Sequence, residues 1–141
     1  MGVNATKVSD IMSKNLKKAH SKQTLGEVNQ MMAESKIHHL LVVDDADKLI
    51  GVVSDRDIKK FISPFVGSKR ETEQDKATLL IKVENIMVKN VITCRPEDTI
   101  KTIVELMLQK IIHSTPVVDD SGKLVGLVTS TDLLKLFLTS L

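Results

Sequence analysis

The chain has 141 residues and a formal charge of +2 with both signs interspersed, enough for one compact domain or two packed half-domains and without the cationic surplus of a polyanion binder. Apolar residues make up 42% but aromatics only 2%, so the core must be Val, Ile, Leu and Met, and the aromatic platforms of single-stranded nucleic-acid binders are excluded. No run approaches the roughly 18 apolar residues of a membrane span, no signal peptide is evident, and the single cysteine, Cys94, leaves no intramolecular disulfide and fits a reducing, cytoplasmic setting.

Met1-Gly-Val-Asn-Ala-Thr6 fits the loose N-myristoylation pattern, but no polybasic stretch accompanies it, and it reads as a disordered start. Val8–Met12 forms a short opening segment and Asn15–Ala19 an extended one. Thr24-Leu-Gly-Glu27 is a capping box: the Thr hydroxyl accepts from the Glu27 N–H and the Glu side chain reaches back. The helix it starts carries Leu25, Val28, Met31 and Met32 on one stripe, with the Met residues as core filler. Two apolar runs follow, Leu40–Val43 and Leu49–Val53, joined by the turn sequence Asp44-Asp-Ala-Asp-Lys48, which predicts a β-hairpin. A helix over Asp55–Ile62 ends before Pro64. The stretch 63–82 is a linker, in which Ser68-Lys-Arg-Glu71 repeats the capping pattern and predicts a helix from about Lys69 to Lys82 with a solvated, charged face.

The series then starts again. Shifted by 75 residues, Val8 falls on Val83, Met12 on Met87, Asp44-Asp45 on Asp119-Asp120, Gly51 on Gly126 and Asp57 on Asp132, with no gap from Val8 to Ile62 and about a third of the positions identical. The chain therefore divides into a first copy over 1–62, the linker over 63–82, and a second copy over 83–141, each copy needing the other to bury its apolar face. In the second copy Thr99 starts a helix whose apolar residues, Ile100 to Ile111, wrap most of the circumference and predict burial on two sides. Pro116–Val118 and Leu124–Val128 form its hairpin, and Ser130–Leu138 its last helix. Each unit thus reads strand, helix, strand, strand, helix, an α/β (α+β) class.

The strand-to-helix junction is where chemistry is expected. Gly51-Val-Val-Ser-Asp-Arg-Asp57 and Gly126-Leu-Val-Thr-Ser-Thr-Asp132 share a glycine, a hydroxyl and an aspartate in register. Such a junction presents backbone N–H donors and a positive helix end at the carboxyl end of a strand, where phosphates and sugars bind in many open α/β folds. Asp57 or Asp132 could accept both hydroxyls of a ribose, Ser54 or Thr129 could hold a phosphate, and Arg56 could add a bidentate contact that Thr131 in the second copy cannot. The same Ser54-x-x-Asp57 and Thr129-x-x-Asp132 patterns also fit helix caps. His38 and His113 match across the copies, but their spacing completes no metal-ligand set, and no nucleophile–base constellation is present.

In its Val8-Ser-Asp-Ile-Met12 and Val83-Glu-Asn-Ile-Met87 openings, its His113-Ser-Thr-Pro-Val-Val-Asp119 strand and its two Gly-x-x-Ser/Thr-x-x-Asp junctions, in that order and in two copies, the chain resembles the CBS (cystathionine β-synthase) domain, which usually occurs as a tandem pair. The resemblance covers residues 8 to 138. It implies two pseudo-symmetric β-α-β-β-α repeats packed sheet to sheet, with clefts between them that commonly bind adenosine nucleotides or related adenosyl ligands. By position, Asp57 and Asp132 would take ribose hydroxyls, Ser54 and Thr129 ribose or phosphate oxygens, and Arg56 a phosphate, with Thr131 its uncharged counterpart. His38, His39, His113 and Ser114, with Val91–Ile92 and Leu16–Lys17, would line the base pockets. The first copy departs from the family habit at Leu41, where the second has Pro116. The resemblance implies a stand-alone sensor, not an enzyme. Its ligand would be AMP, ADP, ATP or S-adenosylmethionine, and an effector protein would read its occupancy; the alternative is a structural dimerisation module with vestigial clefts. The apolar surplus of Ile100–Ile111, Leu133, Leu134, Leu136, Phe137 and Leu138 predicts a homodimer with helix surfaces from both copies at the interface.

Overall fold

The computed structural model describes residues 2–141; Met1, the first residue of the myristoylation-like pattern, lies outside them. The elements follow in the order α1 (Val8–Ile11), β1 (Lys18–His20), α2 (Leu25–Ser35), β2 (His39–Val43), β3 (Leu49–Ser54), α3 (Asp55–Phe61), α4 (Glu73–Ala77), α5 (Ile100–Lys110), β4 (Ser114–Val118), β5 (Leu124–Thr129) and α6 (Ser130–Thr139). This is the mixed α/β class the sequence predicts. The start expected to be disordered contains a 3-10 turn over Val3–Ala5. Among the described residues no helix is long and apolar enough to cross a membrane.

The chain forms two compact units, and they do not coincide with the two sequence copies. One unit is Lys17–Val91; the other takes the residues up to Leu16 together with Ile92–Leu141. The opening of the first copy thus belongs with the body of the second, and the reverse.

In the Lys17–Val91 unit, β1 runs parallel to β2 and β2 pairs antiparallel with β3. Leu25, Val28 and Met32 of α2 and Ile58 of α3 close over Ala19, Leu40, Val42 and Val53 of the sheet, and Val83 from the second copy's opening completes this core. Thr24 caps α2 as its sequence predicts, accepting from the Glu27 N–H at 3.2 Å while Glu27 accepts from the Thr24 N–H at 3.2 Å. In the other unit β4 and β5 pair antiparallel, and Ile103 and Met107 of α5 pack with Cys94, Val117, Val128 and the first copy's Val8.

The exchange uses the same bonds twice. Val8 N–H donates to the Asp98 carbonyl at 3.0 Å, as Val83 N–H donates to that of Gln23 at 2.9 Å. Ser13 pairs with Leu127, as Val88 pairs with Val52. Each opening ends in a methionine that lies where a side chain on the facing glycine would be. A Cβ on Gly51 would collide with the sulfur of Met87, and one on Gly126 with the sulfur of Met12. Those glycines are kept for close approach, not for a turn.

Three expectations need correction. The first strand of the second copy shrinks to a single parallel bridge, Cys94 to Val117. In the first copy Ser21 N–H extends the ladder to the Val43 carbonyl at 2.9 Å; its counterpart is Pro96, which has no N–H to give. The linker helix is shorter and starts later than expected. Thr72, not Ser68, caps it, with Asp75 accepting from the Thr72 N–H at 2.7 Å, so a second hydroxyl-x-x-acid pattern wins over the first. Finally, α5 is covered on one side only: Ile103 is fully buried, whereas Leu108 is 75% and Ile111 83% exposed.

Candidate functional site

The two junctions share their sequence pattern and differ in what the aspartate does. At the β5–α6 junction the capping box is complete. Thr129 Oγ1 accepts from the Asp132 N–H at 3.2 Å, while Asp132 Oδ2 accepts from both the N–H and the hydroxyl of Thr129, at 2.8 and 2.9 Å. At the β3–α3 junction only half is made. Ser54 Oγ accepts from the Asp57 N–H at 3.0 Å, and the Asp57 carboxylate, not turned back onto Ser54, has Lys60 Nζ 3.9 Å away. The first-copy carboxylate is therefore the more available acceptor.

Around that half-cap lies an open cleft of about 570 Å³, lined by His38, His39, Ser54, Asp55, Arg56 and Lys59. The hairpin contributes the two histidines as it enters β2 and Ser54 as β3 ends, and α3 contributes Asp55 and Arg56 from its first turn and Lys59 from its second. His38 Nδ1 lies 2.9 Å from Asp55 Oδ2, and the Asp55 N–H donates to the His38 carbonyl at 2.9 Å, so β2 and α3 are tied at the cleft's edge. The hydrogen bond from His38, ahead of its charge and of the Arg56 N–H, holds the Asp55 carboxyl below the usual carboxylate range. Arg56 and Lys59 are exposed and project cationic heads into the cleft. The arrangement presents a hydroxyl, helix-start N–H groups and two permanent cations to one ligand-sized space, as an anionic or phosphate-bearing group requires.

Of the residues expected from sequence, His38, His39, Ser54 and Arg56 come together here, with Asp57 one residue beyond the lining. Asp55 and Lys59 were not foreseen. Lys59 lies one helical turn after Arg56 on the same face, a signal that i,i+3 spacing makes available. In the second copy, His113 and Ser130 line a different kind of groove, described below, while Thr131 is exposed and Ser114 opens β4 opposite Thr129. Leu16–Lys17 and Val91–Ile92 are outside the first-copy cleft; they are the two points where the chain passes from one compact unit to the other. Among the described residues no group of three or more His, Cys, Asp or Glu side chains is placed to hold a metal ion.

Comparison with known proteins places these features in a family. The CBS domain family model matches residues 8–64 and 83–139. A CBS domain-containing protein of Dictyostelium discoideum is 33% identical over 132 residues, spanning 93% of this chain and 90% of that protein. An L-aspartate semialdehyde sulfurtransferase of Methanocaldococcus jannaschii is 35% identical over 132 residues, but these are 94% of this chain and 23% of the enzyme. The chain spans about a quarter of the length of such enzyme-named relatives. Among solved structures, a CBS domain pair in complex with 5'-methylthioadenosine and S-adenosyl-L-methionine matches with a TM-score of 0.69 and 32% identity, covering 96% of this chain and 98% of that one. CBSX2 in complex with AMP matches with a TM-score of 0.76 and 25% identity over the same shares.

Proposed function

Because this chain belongs to the CBS domain family, we propose that it is a small regulatory module that binds an adenosine nucleotide or related adenosyl ligand and passes its occupancy to a partner protein. The observation that carries this reading is the first-copy cleft, where Ser54, Arg56, Lys59 and His38 gather beside a carboxylate that its own helix cap leaves available. Related pairs solved with AMP, or with S-adenosyl-L-methionine and 5'-methylthioadenosine, support an adenosyl ligand. In this reading Asp57 takes the ribose hydroxyls, Ser54 a ribose or phosphate oxygen, and Arg56 a phosphate. His38 and His39 serve the adenine. Asp132, Thr129, Thr131, His113 and Ser114 form the second site. The module acts as a homodimer, and its signal is allosteric when ligand and partner affinities alter one another.

One observation favours the alternative, a structural dimerisation module. Asp132 already satisfies two donors of Thr129 in its cap, so a ribose must displace that arrangement to use it. A melting-temperature screen against AMP, ADP, ATP and S-adenosylmethionine separates the two. A ligand that binds the native state at a hundred times its dissociation constant adds about 2.7 kcal/mol of stability. A rise with at least one of the four is expected, and an unchanged melting temperature with all four leaves the structural reading.

A further inference from the structure

A neutral imidazole carries one proton, and the hydrogen bonds around the ring decide which nitrogen holds it. His38 Nδ1 lies 2.9 Å from Asp55 Oδ2. An ionised carboxylate accepts and does not donate, so the proton of the neutral His38 ring sits on Nδ1. Nε2 is left as a lone pair. Among the described residues it has no hydrogen-bond partner, and the His38 side chain is 77% exposed on the wall of the first-copy cleft. His20 shows the opposite choice. Its Nδ1 accepts from the Lys22 N–H at 3.2 Å, which places the ring proton on Nε2, toward Asp45.

The second copy keeps the histidine and drops the lock. Ser130 stands where Asp55 does, and a hydroxyl that accepts or donates dictates neither tautomer. His113 and Ser130 line a groove between α5 and α6, about 440 Å³ in volume, whose remaining lining is apolar, Leu108, Ile111 and Leu134 among it. Asp55 also sits in the first turn of α3, where any carboxylate favours the helix. That role asks nothing of its rotamer, whereas the contact with His38 does.

We propose that His38, with Asp55 as its positioning residue, reads the six-position of a purine: its Nε2 lone pair accepts from the exocyclic amino group of adenine and turns away the carbonyl oxygen that 6-oxopurines carry there. The amino group offers a donor to the lone pair; the carbonyl sets one lone pair against another. This assignment rests on the nucleotide reading of the cleft and names the base. Protonation of Nε2 makes it a donor, which suits the carbonyl and opposes the amino group. The preference therefore weakens as pH falls through about 8 to 5, where imidazoles take up charge. The charged and titratable groups facing His38 are Lys36 at the end of α2, His39 of β2, and Asp55, Arg56 and Lys59 of α3.

Calorimetric titration of the full chain with AMP and with inosine monophosphate tests the assignment. The readout is the ratio of the two affinities, in which the titration of the shared phosphate cancels. Wild type is expected to favour AMP about tenfold near pH 8, the worth of one hydrogen bond, and to lose most of that preference near pH 5. H38N, at an exposed position, should bring the ratio close to one and remove its pH dependence, because an amide both donates and accepts. D55S, which copies Ser130 and so suits the fold, should lower the ratio near pH 8 by freeing the tautomer. If Asp55 is only a carboxylate near a phosphate, D55S instead tightens both nucleotides equally. Wild type that binds neither nucleotide overturns the nucleotide reading and this assignment with it. AMP bound no better than inosine monophosphate, or a preference that H38N or D55S leaves intact, overturns the assignment and keeps the nucleotide reading.

Discussion

Asp132 binds Thr129 at two points, accepting from its backbone N–H at 2.8 Å and from its hydroxyl at 2.9 Å, whereas Asp57 is not turned back onto Ser54. The two aspartates should therefore fail differently. Asp132→Ala is expected to lower stability by about 0.5–2 kcal/mol, the worth of a cap. Asp57→Ala should cost less stability and remove nucleotide binding at the first junction. Arg56→Ala should weaken ATP and ADP roughly tenfold or more and adenosine little, since a charge-assisted contact is worth about 1.5–3 kcal/mol. Denaturant melts and calorimetric titrations of the three variants read both effects.

The exchanged openings predict which pieces of the chain fold. A fragment of Met1–Pro64 lacks Val83, which is fully buried in its core, and Val88, whose N–H and carbonyl pair with Val52. It should not melt cooperatively as a monomer, and neither should Lys82–Leu141, which lacks Val8 and Ser13. Residues 17–91 alone should do so. Circular dichroism melts of the three fragments decide the matter.

Cys94 is buried, and burial, with the nearby charge of Asp98 adding to it, pushes its thiol up from 9.0 to about 12. The folded state thus keeps its proton longer than the unfolded state does. This contribution is complete below pH 9.0 and is lost as pH rises from there toward about 12. Cys94→Ala, which installs the residue of the matching position Ala19, should flatten the alkaline limb of the stability curve. Wild type should resist thiol reagents at neutral pH until it is unfolded.

Thr115 is fully buried in β4, and its hydroxyl has no hydrogen-bond partner among the described residues. The first copy has Leu40 there, also buried. Thr115→Val keeps the shape and removes the stranded group, so a gain of about 1–3 kcal/mol is expected, visible as a higher denaturation midpoint at unchanged slope.

Much of this was legible before any coordinates. The period of 75, the hairpins and the caps at Thr24 and Thr99 follow from residues that act on their own neighbours. The exchange did not follow, because a repeat shows that Val8 and Val83 do the same work without showing which copy receives it. Pro96 held the signal for the lost strand, since a residue without an N–H cannot extend a ladder. The apolar wrap of Ile100–Ile111 predicted two buried sides, but hydrophobicity alone does not say whether the second cover comes from the same chain. At the site, the matched aspartates were visible, while their different hydrogen bonding depends on side-chain rotation, which no pattern encodes. Asp55 was hidden because its counterpart is Ser130, and a search for shared residues passes over it.

The traded openings also bear on inheritance. A duplication that joined two self-contained halves would leave each free to be lost, moved or copied alone. Once Met12 fills the space at Gly126 and Met87 the space at Gly51, a deletion of either half removes part of what the other needs. The smallest piece that keeps both exchanges is the pair, and it aligns over more than nine-tenths of its length with proteins several times longer.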